Sequence, residues 1–173
     1  MNKLVKAVMF STAAMTLVSF GAHADQGHGN IDFKGTVIDA PCGIDPQSAD
    51  QSIDFGQISK AHLNGGGISK PQNLNIKLVN CDVSNLTKGV NVTFTGNTVT
   101  GAQNELVTAG PTNTAVVING YGKDVTFGQA TDHINLTSGD NTLHFTSWVK
   151  QASTKTVNDG EFTASAKFNL AYE

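Results

Sequence analysis

The last stretch of the chain constrains the fold most. From Gly160 onward, Phe162, Ala164, Ala166, Phe168, Leu170 and Tyr172 fall on one side of an extended backbone. Thr163, Ser165, Lys167, Asn169 and Ala171 fall on the other. A period of two is the mark of a half-buried strand, because successive side chains of an extended chain point to opposite faces. At about a dozen residues the strand is long against the usual five or six.

Shorter runs of the same kind precede it. Ile31 to Asp39 alternates, with Ile31, Phe33, Gly35 and Val37 on one face and Asp32, Lys34 and Thr36 on the other. Leu74, Ile76 and Leu78 alternate into Cys81, and strands are expected at Ser52–Gln57, Val90–Gly96, Thr114–Asn119, Asp124–Gly128 and Asn141–Gln151. Asn-Gly, Ser-Gly-Asp and Asn-Asp-Gly supply the turns between them. Ser59 to Leu63 reads as one helical turn, and no stretch of a dozen residues has helical periodicity. The reading is an all-β chain built as an antiparallel sandwich.

The first two dozen residues follow a different rule. Lys3 and Lys6 form a basic start, Ala7 to Phe20 is apolar, and Ala22-His23-Ala24 supplies small residues at a cleavage site. This is the pattern of an export signal, and its apolar run falls short of the roughly 20 residues that span a bilayer. The expected organisation is a signal peptide over 1–24, an extension over 25–39 and one domain over 40–173. Loss of Lys3 and Lys6 takes the formal charge from −3 to −5. In an oxidising compartment, Cys42 and Cys81 are most simply one disulfide.

Composition excludes several classes. Charged residues are 14 % of the chain against 39 % hydrophobic, which is not the signature of disorder. The chain has 11 basic residues, all of them lysine, and a net negative charge, so nucleic acid is not an expected partner. His28, His62, His133 and His144 are scattered and meet no metal-ligand spacing, and Asp39, Asp45, Asp50 and Asp54 are too widely spaced for a calcium loop. No nucleophile or phosphate-binding motif occurs. Neither enzyme activity, a metal nor a cofactor is expected. A metal-dependent β-sandwich enzyme would need a histidine cluster.

Taken in order, these residues resemble a bacterial fimbrial subunit of the chaperone–usher pathway, closest to the major rod pilins of P pili and related fimbriae. The segments that carry the likeness are Phe33-Lys34-Gly35-Thr36-Val37-Ile38 running into Asp39-Ala40-Pro41-Cys42, and Ala49 to Gln57. They continue with Leu78-Val79-Asn80-Cys81, Phe94-Thr95-Gly96, and a C-terminal motif that places Gly160 fourteenth from the end and Tyr172 penultimate. The resemblance implies an incomplete immunoglobulin-like sandwich that lacks its last strand. It further implies that a donor strand, from a periplasmic chaperone or from the neighbouring subunit's extension, fills the gap.

On that reading Ile31, Phe33, Gly35 and Val37 are the donor residues, with Gly35 where the groove is too shallow for a side chain. Gly160, Phe162, Ala164, Ala166, Phe168, Leu170 and Tyr172 form the groove and chaperone-binding edge, and Glu173 anchors the chaperone. The implied partners are identical subunits joined head to tail, the periplasmic chaperone and the outer-membrane usher. The implied destination is a fimbrium on the cell surface. The alternative is a minor or adaptor pilin, or a one-domain carbohydrate-binding adhesin using a surface trio such as Trp148, Tyr121 and Asn119. A tip adhesin with an added lectin domain would need a longer chain.

Overall fold

The computed structural model describes residues 29–173. The expected signal peptide, 1–24, and the first part of the extension, 25–28, lie outside the described residues. Two units are distinguished, one ending at Thr36 and the other running from Val37 to Glu173.

In the first unit, the described residues hold no strand, and Ile31 and Phe33 are 78 % and 91 % exposed. The strand expected over 31–39 is therefore not formed within the chain. Alternation gives a segment the capacity to be a strand, but a ladder also needs a neighbouring backbone to bond to.

The second unit contains nine strands and two helical turns: β1 (Gly43–Ile44), α1 (Pro46–Ala49), α2 (Lys60–Asn64), β2 (Gln72–Cys81), β3 (Val90–Thr95), β4 (Thr98–Val99), β5 (Ala102–Val107), β6 (Thr114–Gly120), β7 (Lys123–Asp124), β8 (Gly139–Gln151) and β9 (Lys167–Tyr172). One sheet has the order β1-β2-β8-β6-β5-β4, with β7 on β6; the other is β3-β9. Every pairing is antiparallel. The fold is nearly all β, an immunoglobulin-like sandwich.

The core lies between the two sheets. Ile76 and Leu78 from β2, Val90, Val92 and Phe94 from β3, and Leu143, Phe145 and Val149 from β8 are all buried. Phe94 meets Phe145 edge-on with ring centroids 5.0 Å apart. Each such side chain contributes about 1.5–3 kcal/mol by leaving water. Cys42 and Cys81 are bonded and buried, with Cα atoms 4.1 Å apart, so the chain ahead of β1 is tied to the end of β2.

Several boundaries differ from the sequence expectation. Ser52–Gln57 is irregular, and Asp124 alone of Asp124–Gly128 lies in a strand. Of the long C-terminal strand only Lys167–Tyr172 is laddered, by pairing with β3. Strand β5 has no readable pattern because Asn104 interrupts the apolar face of Ala102 and Leu106, and Glu105 puts a charge on the other face. Glu105 is 2 % exposed yet fully bonded: Lys150 Nζ lies 2.6 Å from one oxygen, and the Ser153 amide and hydroxyl donate at 2.8 and 2.7 Å. Burial pushes its carboxyl up, but these donors outweigh burial and hold it below its ordinary value. The helical turn expected at Ser59–Leu63 is α2, whose N-cap is Ser59.

Candidate functional site

Between the two sheets lies an open groove of about 750 Å³. One lip is the chain that leaves α1, from Asp50 to Phe55; the other is the approach to β9, from Phe162 to Ala166, and β9 as far as Asn169. The first lip is held in place locally. Asp45 caps α1 through the Gln47 amide, with Pro46 at the first helical position. The Lys77 amide donates to Ser48 Oγ at 2.9 Å, and Gln51 Nε2 donates to the Asn75 carbonyl at 2.8 Å. Both bonds fix this lip to β2. Ile53 and Phe55 are half-buried while Ser52 and Asp54 are exposed, so the lip turns its apolar side inward.

The floor comes from strands of both sheets: Leu74 of β2, Phe94 of β3, Leu106 of β5, Val116 and Ile118 of β6, and Ser147 of β8. Two aromatic pairs mark positions along it. Phe55 and Phe162 approach to 6.5 Å, and Phe94 and Phe168 to 6.4 Å. Ala164 and Ala166 lie between them, so the walls there are low. From Phe162 to Phe168 an extended chain covers about 20 Å.

Outside β9, most of the backbone along both lips is unpaired. Among the described residues, the stretch 161–166 makes only one reciprocal pair of backbone bonds, between Thr163 and Ala109. Residues 50–57 make no backbone–backbone bonds; the Gly56 amide turns back to Asp54 Oδ1. An open groove flanked by backbone donors and acceptors that are largely free, over an apolar floor, is a template for an added strand.

The residues singled out from sequence distribute unevenly around this groove. Phe162, Ala164, Ala166 and Phe168 line it. Leu170 and Tyr172 pack instead against the core beyond its end, opposite Val92 and Val90. Burial raises the Tyr172 phenol, whose buried oxygen has no hydrogen-bond partner among the described residues. Gly160 sits outside the groove at φ +140°, where a Cβ would meet Pro111 at 2.6 Å.

Glu173 is held internally. Its backbone oxygen accepts from the amides of Thr87, Lys88 and Gly89 at 2.9, 2.7 and 3.0 Å. Its side chain lies 2.8 Å from Lys88 Nζ and 3.4 Å from His133 Nε2. The Lys88 ammonium, with His133 beside it, holds this carboxyl below its ordinary range.

Ile31, Phe33 and Val37 are exposed, and among the described residues no atom beyond the chain neighbours lies within 4 Å of the Cβ position at Gly35. The alternative trio does not converge. Tyr121 packs edge-on against Phe145 on the inner face of its sheet, while Trp148 stands opposite Val117 on the outer face and Asn119 bonds Asp124.

Sequence reading did not identify the floor. Leu74, Val116, Ile118 and Ser147 belong to ordinary alternating strands, and nothing in their local pattern distinguishes a floor from a closed core. The alternation of Ile53 and Phe55 was the one signal for the opposite lip.

Residues 31–173 match the family model described as fimbrial protein. The chain is 50 % identical to KS71A fimbrillin of Escherichia coli, with 98 % of this chain and 100 % of that protein covered. It is 46 % identical to the Pap fimbrial major pilin protein of Escherichia coli over the same shares. A subunit from the structure of a chaperone–usher pilus, solved in connection with rod uncoiling, superposes with a TM-score of 0.82 at 49 % identity, covering 86 % of this chain and 97 % of that one.

Proposed function

We propose that this chain, which belongs to the fimbrial protein family and is a structural subunit of a pilus rather than an enzyme, is joined to its neighbours by strand donation. The extension of one copy, with Ile31, Phe33, Gly35 and Val37 facing inward, seats in the groove of the next.

One observation carries this reading: the chain has both a groove with an apolar floor, flanked by backbone largely free of bonds, and an exposed alternating segment. The segment from Ile31 to Val37 spans about 20 Å when extended, the same six residue steps as Phe162 to Phe168. Backbone bonds to both lips give affinity, and inward side chains meeting the floor give selectivity. Donor and acceptor are different segments of one chain, so head-to-tail donation is a heterologous contact that does not close; repetition makes a filament.

On the same reading, residues 1–24 are the export signal and a periplasmic chaperone covers the groove during transit. It contacts the edge from Phe162 to Tyr172 and is anchored at Glu173. An outer-membrane usher then exchanges the chaperone for the next subunit, and the product is the rod of a surface fimbrium. The exposed groove explains the need for a chaperone, since open apolar surface beside an unpaired strand edge drives aggregation.

The test is to express the chain with and without residues 31–37 alongside its chaperone, release the chaperone, and image both samples by electron microscopy. Filaments from the intact chain alone are expected. Normal filaments from the truncated chain would refute strand donation.

A further inference from the structure

Gly96 stands at the corner of the groove where the chain changes sheets. Thr95 ends β3 in the two-stranded sheet, and Thr98 begins β4 in the larger one. Along β3, Val92 and Phe94 are buried, and position 96 continues the same inward alternation. The register that pairs Phe94 with Phe168 and Thr95 with Lys167 brings Gly96 beside Ala166 of the lip. The inward pair after the two phenylalanines is therefore a glycine and an alanine, which leaves space between the sheets.

Leu106 of β5 reaches into that space from the opposite sheet. A Cβ built on Gly96 would lie 2.4 Å from Leu106 Cδ1, 3.2 Å from the Ser165 carbonyl oxygen and 3.7 Å from Ala166 Cα. Leu106, Ser165 and Ala166 all line the groove. The backbone of Gly96 is outside the left-handed region, so the missing side chain answers to space rather than to conformation. A side chain at this position would have to move the floor or the lip. The end of a leucine moves more readily than a main-chain carbonyl. Leu106 belongs to the close-packed core, which offers its displaced tip no room, and the open side is the groove.

We infer that Gly96 is a positioning residue of the groove: its missing side chain lets Leu106 lie beside the lip at Ser165 and Ala166 instead of standing in the path of a seated strand. This inference rests on the strand-donation reading and deepens it. Gly96 acts on the neighbouring copy's strand through Leu106 and the lip, not by touching it.

Full-length chains carrying Gly96→Ala, Leu106→Val or both are assembled beside wild type, and the rate of subunit loss from filaments in guanidinium chloride is measured. Gly96→Ala is expected to speed loss about tenfold, the scale of one methyl group forced into a packed site. Adding Leu106→Val, which removes the displaced tip, is expected to bring the rate back to within about threefold of wild type. Leu106→Val alone is expected to leave loss at or above the wild-type rate. Filaments absent from Gly96→Ala and restored in the double variant would be the stronger form of the same result. A Gly96→Ala rate equal to wild type, or a defect that Leu106→Val does not relieve, would overturn the inference while leaving strand donation intact.

The unassembled Gly96→Ala subunit is expected to melt close to wild type, because the empty groove gives the displaced tip room. A melting temperature lowered in step with the joint, or failure to fold, would also overturn the inference, since the clash would then be borne by the subunit's own core. Wild-type chains that form no filaments would remove the strand-donation reading and this inference with it.

Discussion

The rings of Phe55 and Phe162 meet across the groove, centroids 6.5 Å apart and planes tilted by 35°. They come from opposite lips and both line the groove, so a seated strand would lie against them. Phe162→Ala should therefore weaken the assembled joint more than the isolated subunit. The ring pair alone is worth about 0.5–1.5 kcal/mol beyond its buried area. Filaments of the variant are expected to form but to dissociate faster in denaturant. Equal losses of subunit and joint stability would place the pair in the folding core instead.

Glu105 gives the subunit an acid-sensitive element. Its folded-state pKa lies below the ordinary 4.5, so its bonds to Lys150 and Ser153 stabilise the fold fully above that value. The contribution is lost as pH falls from 4.5 through the lower folded value. Glu105→Gln is expected to cost about 1–3 kcal/mol at neutral pH and to flatten the stability profile in acid. Denaturant titrations from pH 7 to pH 3 on both chains check the sign.

Gly89 stands at φ +96°, and a Cβ there would overlap the carbonyl oxygen of Ile134. Gly89 also exchanges both backbone bonds with Glu173. Gly89→Ala should cost about 1–3 kcal/mol through strain and should loosen the end of β9. Hydrogen exchange at the Glu173 amide is the local readout. It should accelerate while amides in the middle of β8 change only with global stability.

The Cys42–Cys81 bond closes a loop of sequence separation 39. Cys42→Ser is expected to lower stability by about 2–4 kcal/mol and to reduce the yield of exported subunit. Guanidinium midpoints of the variant and wild type provide the comparison. An unchanged midpoint and yield would show that the hydrophobic core suffices without the bond.

The sequence shows the laddered elements well and the unfinished ones less well, for one physical reason. Alternation reports which faces of a segment are apolar, not whether a partner backbone lies beside it. Val90 to Thr95 alternates and pairs with β9. Ile31 to Val37, Ser52 to Gln57 and Phe162 to Ala166 alternate equally well, and none of them is a strand in the single chain. All three therefore carry the pattern of strands that need something further to pair with. Glu105 is the opposite case, a charge that reads as exposed because the partners that let it be buried, Lys150 and Ser153, come from a distant part of the chain.

The disulfide also governs where tension goes. On the strand-donation reading, stretching a filament would pull on the chain at Ala40 and Pro41. The next residue, Cys42, is cross-linked to Cys81 at the end of β2, a strand bonded on both sides, to β1 and β8. The pull would pass through sulfur into β2 rather than along residues 45–71. Asp50 to Phe55 lie within the bypassed stretch. That lip would then carry only the load a seated strand places on it directly, and none that travels along the covalent chain from Pro41.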